Sequence, residues 1–128
     1  MKRRISRLAL MAFLTMTSQA VAEQWVSLGW GSSRAQTELD LDSVARSSDG
    51  NRAIIRVVIP QPQGTLTSYF DMGIFCPERF VTILGGEIHS SWSSKIVPMP
   101  EMSMEERSSS IPSQNPAFQN LFDYLCVN

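Results

Sequence analysis

The sequence predicts an α+β protein that is mostly β: a single antiparallel meander sheet of about five to six strands with one C-terminal helix packed on it. Three observations support this class. Short segments of alternating apolar and polar residues recur along the chain, and Gly, Pro, Asn and Ser interrupt them. Residues 115–126 repeat their apolar side chains at helical spacing. The two cysteines, Cys76 and Cys126, each fall on an apolar face of their element.

Residues 1–22 have the pattern of a secretory signal peptide. Basic residues at 2–7 precede a short apolar run at 8–14, and Ala-Val-Ala at 20–22 fits a cleavage site. The apolar run is too short to span a bilayer, and no cysteine lies near the cleavage site to carry a lipid anchor. We therefore expect residues 23–128 to be exported as one domain, either to the periplasm or as a secreted or cell-surface protein, with no stable membrane insertion.

The strands are predicted from alternation. In residues 25–30 this pattern places Val26, Leu28 and Trp30 on one face. The same pattern predicts further strands at residues 36–41, 52–59, 66–76, 80–84 and 87–96. Gly85-Gly86 is predicted as the tight turn between the last two strands. Connections this short favour antiparallel neighbours and hence a meander.

The two cysteines are predicted to form a disulfide bond. Cys76 ends its strand on the apolar side, while Asn115 can cap the helix and Pro116 suits its first position. The helix presents an apolar stripe made of Phe118, Leu121, Phe122 and Leu125. Cys126 lies beside this stripe, so both thiols face the core. A bridge suits an oxidising compartment, and the alternative is two free, buried thiols that act as small hydrophobic side chains.

The segment 97–114 is long for a loop in a domain of this size. Methionines and acidic residues alternate in it, at Met99, Met102 and Met104, and residues 102–107 can form a short helical turn. Methionine side chains adapt to varied surfaces. The segment is interpreted either as a flexible connector or as part of a partner-binding surface.

The charge of the exported part argues against a nucleic-acid partner. Four of the 11 basic residues precede residue 23, so the remainder carries seven basic residues against 12 acidic ones, a net charge of about −5. Nucleic-acid binding depends on clustered Lys and Arg.

Residues able to carry catalysis are few. His89 shares the polar side of its predicted strand with Glu87; it is a candidate general base, metal ligand or haem ligand, and otherwise a surface histidine. Asp40 and Asp42 are either a carboxylate pair or a solvated edge and the cap of a turn at 42–45. No Gly-x-Ser-x-Gly motif, phosphate-binding loop or zinc-ligand set occurs. We expect no catalytic residue, no metal and no cofactor, and so a protein that is not an enzyme.

The order of these features resembles the surface-adhesin protein E-like domain of Gram-negative bacteria. The resemblance is carried by Trp25, Asp40-Leu41-Asp42-Ser43-Val44, the strand at 52–59, Cys76-Pro77-Glu78-Arg79-Phe80, Ile111-Pro112 and Tyr124-Leu125-Cys126. It covers residues 23–128. It implies an antiparallel sheet tied by a disulfide bond to a C-terminal helix, and a non-enzymatic protein that binds host extracellular-matrix and serum proteins.

The leading functional hypothesis is therefore an exported protein-binding module. Its expected contact residues are Tyr69, Trp92, Met99, Met102 and Met104. One alternative is a small inhibitor or accessory subunit of an envelope enzyme. The other is a binder of haem or another small ligand through His89 and methionine sulfur.

Overall fold

The computed structural model describes residues 24–30 and 34–126, so the predicted signal peptide at 1–22 lies outside the described residues. The strands are β1 (Trp25–Trp30), β2 (Gln36–Asp40), β3 (Ala45–Ser47), β4 (Gly50–Gln61), β5 (Gly64–Phe75), β6 (Phe80–Ser90), β7 (Ile96–Pro98) and β8 (Ser108–Ser110). The helices are a 3-10 turn (Leu41–Ser43), α1 (Met104–Arg107) and α2 (Pro116–Cys126).

All strand pairs are antiparallel, and the sheet is a meander in the order β1-β2-β4-β5-β6-β7. Two further strands lie outside this order: β3 pairs with β4, and β8 pairs with β6. The mostly β class, the antiparallel sheet and the C-terminal helix are thus confirmed. The described chain has eight strands rather than five or six, because β3 and β8 have three residues each and no apolar alternation.

The predicted turn at Gly85-Gly86 is wrong. Strand β6 runs through both glycines, and a bulge leaves Leu84 as the extra residue between the pairs that Asp71 and Met72 form with β6. A Cβ atom at Gly86 would lie 2.5 Å from the carbonyl oxygen of Tyr69, so this glycine allows close approach of two backbones.

The chain reverses after Ser90 instead, so the predicted strand at 87–96 is interrupted. There Ser91 donates its backbone N–H to the Thr65 carbonyl (2.9 Å) and its hydroxyl accepts the Thr65 N–H (2.9 Å). Ile96–Pro98 then pairs back onto β6 as β7. The two backbone interactions with Thr65 fix the reversal beside the β4–β5 hairpin.

Trp30 does not share the buried face of Leu28, contrary to prediction. A bulge between Ser27 and Gly29 shifts the register of β1, and Gly29 has a φ of 118°. Trp30 pairs with Gln36 and is 66% exposed, whereas Leu28 is buried. The bulge therefore turns the end of β1 away from the core.

Helix α2 covers one face of the sheet, here called the inner face. Asn115 caps it as predicted, because its side-chain oxygen accepts the Ala117 N–H at 3.0 Å. The buried core comprises Leu28, Leu39, Ala53, Ile55, Met72, Ile74, Val81 and Ile111 together with Ala117, Leu121, Phe122 and Leu125 of α2. Asn120 Nδ2 donates to the Leu28 carbonyl at 2.6 Å, which fixes the helix against β1.

The predicted disulfide bond joins Cys76, just after β5, to Cys126, the last residue of α2. In the same turn, the Arg79 guanidinium lies 4.8 Å from the Phe122 ring centroid. The turn after β5 therefore holds α2 by one covalent bond and one cation–π contact.

The carbonyl groups at the end of α2 also find partners on the sheet. Arg46 Nη1 donates to the Leu125 carbonyl oxygen at 2.7 Å, and Asn51 Nδ2 donates to the same oxygen at 3.3 Å. These donors replace the glycine-based cap that ends many helices. Within residues 24–30 and 34–126, no helix is long and apolar enough to cross a bilayer.

Candidate binding face

The face of the sheet opposite α2, here called the outer face, carries most of the side chains with recognition chemistry. Alternate residues of a strand point to opposite faces, so residues next to the buried Leu39, Ile55 and Met72 face outward. The outer face carries Trp25, Gln36, Glu38, Asp40, Arg52, Ile54, Arg56, Val58, Thr67, Tyr69, Asp71, Glu87 and His89.

Three aromatic rings form a connected cluster on this face. The Trp25 and Tyr69 ring centroids are 6.1 Å apart at an interplanar angle of 60°, and those of Tyr69 and His89 are 4.8 Å apart at 67°. Both pairs are edge-to-face, an attractive arrangement for aromatic rings. Trp25 lies on β1 and Tyr69 on β5, with β2 and β4 between them, so the indole ring leans across the sheet.

An arginine packs against this cluster. The Arg56 guanidinium carbon lies 4.0 Å from the Trp25 ring centroid, and Arg56 Nε donates to Glu38 Oε1 at 2.8 Å. Both charged side chains are largely buried, so this ion pair and cation–π contact hold the indole in place. Arg52 and Asp71 form a second ion pair, which is more exposed and contributes less to stability.

The cluster borders a depression of about 360 Å³, here called the aromatic depression. It is lined by Trp25, Asp40, Ile54, Tyr69, Glu87 and His89. His89 Nε2 and Glu87 Oε1 are 2.9 Å apart. Among the described residues, no lysine or arginine forms an ion pair with Asp40 or Glu87. The depression therefore combines aromatic walls with two carboxylates that no described lysine or arginine pairs with.

Asp40 and Asp42 do not form the solvated edge and cap that the sequence suggested. Asp40 is only 6% exposed, and its carboxylate accepts the Asp42 N–H at 3.0 Å, so Asp40 itself caps the 3-10 turn. Ser43 completes the turn: its hydroxyl donates to the Asp40 carbonyl (2.7 Å) and accepts the Ile54 N–H (2.7 Å). This turn fixes the carboxylate at the wall of the depression.

Met99 and Met102 line a different depression, of about 380 Å³, which here is called the methionine depression. Its other lining residues are Leu84, Gly85, Gly86, Pro100, Glu101 and Arg107. The Met99 N–H donates to the Gly86 carbonyl at 3.0 Å and fixes the loop against β6. Met104 opens α1 and is exposed, and its sulfur accepts from Arg107 Nη2 at 2.8 Å.

Trp92 belongs to a third place, the end of the sheet at the β4–β5 hairpin. It is exposed, and its Cε3 would lie 3.2 Å from a Cβ atom at Gly64. A groove nearby is lined by Trp30, Arg34, Gln36, Val58, Pro60 and Thr65. The predicted contact residues are therefore spread over three places, and only Tyr69 belongs to the aromatic depression.

The residues proposed for haem or metal binding are similarly separated. His89 lines the aromatic depression, whereas Met99 and Met102 line the methionine depression. Within the described part of the chain, no group of three or more His, Cys, Asp and Glu side chains is placed to hold a metal ion.

Comparison with protein-family models, with curated proteins and with solved structures found no match to this chain.

Sequence reasoning missed Trp25, Ile54, Arg56 and Glu38 as members of one site. Alternation did separate Trp25 from Val26 and Leu28, which is the one signal that it faces away from the core. Nothing in the spacing of Trp25 and Tyr69 shows that the indole crosses two intervening strands.

Proposed function

We propose that this protein is an exported, non-enzymatic protein-binding module that contacts its partner through the outer face of the sheet. The observation that carries the proposal is the aromatic cluster of Trp25, Tyr69 and His89 with Arg56 packed against it. Trp, Tyr and Arg are the residues most enriched among the side chains that dominate protein–protein affinity.

The surroundings of the cluster support the same proposal. Ile54 on β4 is exposed beside the cluster, and the exposed Ile96 on β7 pairs with His89. An antiparallel sheet with one free face normally presents polar side chains there. Apolar side chains grouped on such a face favour contact with another molecule.

Export is proposed on two grounds. The first is the signal-like pattern of residues 1–22. The second is the Cys76–Cys126 disulfide bond, since such bonds persist mainly in oxidising compartments. The helix tied to an antiparallel sheet also fits the resemblance to surface-adhesin protein E-like domains. On that basis we propose host matrix proteins, serum proteins or another envelope protein as partner classes.

The proposal can be tested by capture on the immobilised protein. Extracellular-matrix proteins, serum and an envelope extract are applied separately, and enriched proteins are identified by mass spectrometry. We expect Tyr69→Ala to weaken binding of the enriched partner by about fivefold or more, because truncating a central aromatic contact costs over about 1 kcal/mol. Tyr124→Ala is the matched control, since Tyr124 is exposed on α2, away from the outer face.

Two results would contradict the proposal. No enrichment from any of the three sources would remove the protein-binding function. Equal loss with Tyr124→Ala and Tyr69→Ala, or loss with Tyr124→Ala alone, would remove the outer face as the contact surface. Trp92→Ala and Met102→Ala in the same assay report whether the two neighbouring surfaces take part. Circular dichroism of each variant separates lost binding from lost folding.

A further inference from the structure

We propose that the aromatic depression binds a lysine or arginine side chain presented by the partner. This inference rests on the proposed function, because it names the chemical group that the outer face recognises. Its first support is the balance of charge. The outer face carries two arginines, each in an ion pair: Arg52 with Asp71 and Arg56 with Glu38. The other two carboxylates, Asp40 and Glu87, both line the depression, and no lysine or arginine among the described residues pairs with either; Glu87 contacts His89.

Asp40 makes the depression especially suited to a cation. This residue is 6% exposed, and its carboxylate accepts the Asp42 backbone N–H at 3.0 Å. A carboxylate removed from water without a positive partner is costly, and a cation placed beside it lowers that cost. Glu87 lines the same space, and its Oε1 lies 2.9 Å from His89 Nε2. An anionic group would meet two like charges here.

The aromatic walls suit a cation as well. A ring face attracts an ammonium or guanidinium group within about 6 Å of its centroid, and Trp and Tyr do so better than Phe. Arg56 already makes this contact with Trp25 at 4.0 Å, so the indole accepts a guanidinium group in this setting. The edge-to-face packing of Trp25 on Tyr69, at an interplanar angle of 60°, gives the depression two differently oriented rings.

The depression is large enough to take one lysine or arginine side chain. Pockets for drug-sized ligands span about 300–1,000 Å³. At about 360 Å³ the depression lies near the lower end of this range and is open to solvent on one side. Ile54 in its wall can pack against the methylene groups of a lysine or arginine side chain while the charged end reaches the carboxylates.

The test uses two short peptides that differ only in charge. Acetyl-Gly-Lys-Gly-amide and the same peptide with Nε-acetyllysine are titrated into the ¹⁵N-labelled full-length chain at constant ionic strength. The indole N–H signals of the three tryptophans are followed by NMR, after assignment with single Trp→Phe variants. We expect the lysine peptide to shift the Trp25 signal saturably. We expect the acetylated peptide, and the signals of Trp30 and Trp92, to show no such response.

Variants then test the two halves of the site. Glu87→Gln removes the charge with little change of shape and should raise the apparent Kd of the lysine peptide by about threefold to tenfold. Tyr69→Leu should do the same by removing a ring. Glu105→Gln removes a carboxylate from α1, outside the depression, and should leave the Kd unchanged. The inference is overturned if both peptides shift Trp25 alike, or if Glu87→Gln binds as tightly as wild type.

Failure of this inference is distinguishable from failure of the proposed function. If a captured partner still binds with its lysines acetylated and its arginines modified, the cation inference falls and the protein-binding function stands. If the lysine peptide binds but no partner is captured from any source, the protein-binding function falls and the depression remains a cation site.

Discussion

Gly86 lies on β6 where the β5 backbone leaves no room for a Cβ atom. A Cβ atom there would lie 2.5 Å from the Tyr69 carbonyl oxygen and 3.0 Å from Cδ1 of Phe70. The neighbouring Gly85 has no heavy atom within 4 Å of the corresponding position. The structure therefore has room for a side chain at Gly85 but not at Gly86.

We expect Gly86→Ala to lower the free energy of unfolding by about 2–3 kcal/mol, because the methyl group overlaps a backbone atom that cannot move freely. Gly85→Ala should leave it unchanged or raise it by up to about 1 kcal/mol, since glycine is unfavourable within a strand. Urea denaturation of both variants measures the difference. Equal effects of the two substitutions would contradict the described course of β6.

The sequence alone could not distinguish these two glycines. A Gly-Gly pair between apolar segments is a turn signal, and the contact that makes Gly86 necessary comes from Tyr69 on another strand. The same limit applies to the aromatic depression. Alternation assigns Trp25 and Tyr69 each to a face, but only the curled sheet brings their rings within 6.1 Å.

At the scale of elements, helix α2 depends on the sheet for the partners of its last carbonyl groups. We expect Arg46→Ala to lower the free energy of unfolding by about 1 kcal/mol, because it removes a charged donor to the Leu125 carbonyl at the helix C-terminus. Arg52→Ala is the control: its pair with Asp71 is exposed, and its loss should cost less than about 0.5 kcal/mol. A larger loss in the control, measured by urea denaturation, would contradict this account of the cap.

Helix α1 begins with a reciprocal pair of hydrogen bonds. The Ser103 N–H donates to Glu106 Oε1 at 3.1 Å, and the Glu106 N–H donates to the Ser103 hydroxyl at 3.2 Å. The hydrogen bond from the Ser103 backbone, and second the one from its side chain, lower the pKa of Glu106 below its ordinary value. The charged carboxylate is therefore the form that the folded helix favours.

A carboxyl group whose pKa is lower in the folded chain stabilises the fold above its unfolded pKa, and this contribution is lost as pH falls through the folded pKa. We expect α1 to fray on acidification through that range. In Ser103→Ala the pKa of Glu106 should rise back toward its ordinary value, measured by NMR titration of the side-chain carboxyl. Ser110→Ala, outside the hydrogen-bond pair, should leave that pKa where it is in the wild type.

The sequence predicts an element when the residues that determine it lie within that element or beside it in the chain. Helix α2 is predictable because its cap, Asn115, and its first residue, Pro116, are local to it. Strand β8 consists of three serines, Ser108–Ser110, with no apolar alternation, and it exists because the edge of β6 has room for it. The β6–β7 reversal was missed because the groups that hold it belong to Thr65, on β5.

For the whole molecule, the disulfide bond joins the middle of the chain to its last helix across 50 residues. We expect the double variant Cys76→Ala, Cys126→Ala to lose about 4 kcal/mol of unfolding free energy, because the open chain gains entropy when unfolded. Urea denaturation of the variant and of the reduced wild type should agree. A loss below about 1 kcal/mol in both would mean that the core and the contacts of Arg46, Asn51 and Arg79 hold α2 unaided.

The edge strands of the sheet influence whether the protein self-associates at high concentration. An uninterrupted outer strand is a template onto which a strand of another molecule can add, and fibrils grow in this way. At one edge, β7 ends on Pro98, which has no amide hydrogen, and the Met99 N–H donates to the Gly86 carbonyl of β6. At the other edge, a bulge between Ser27 and Gly29 interrupts β1. Within the described residues, neither edge of the sheet presents a long, regular row of unpaired backbone N–H and C=O groups. We expect these edge features to disfavour the addition of strands from other copies while the outer face keeps its aromatic rings exposed to a partner.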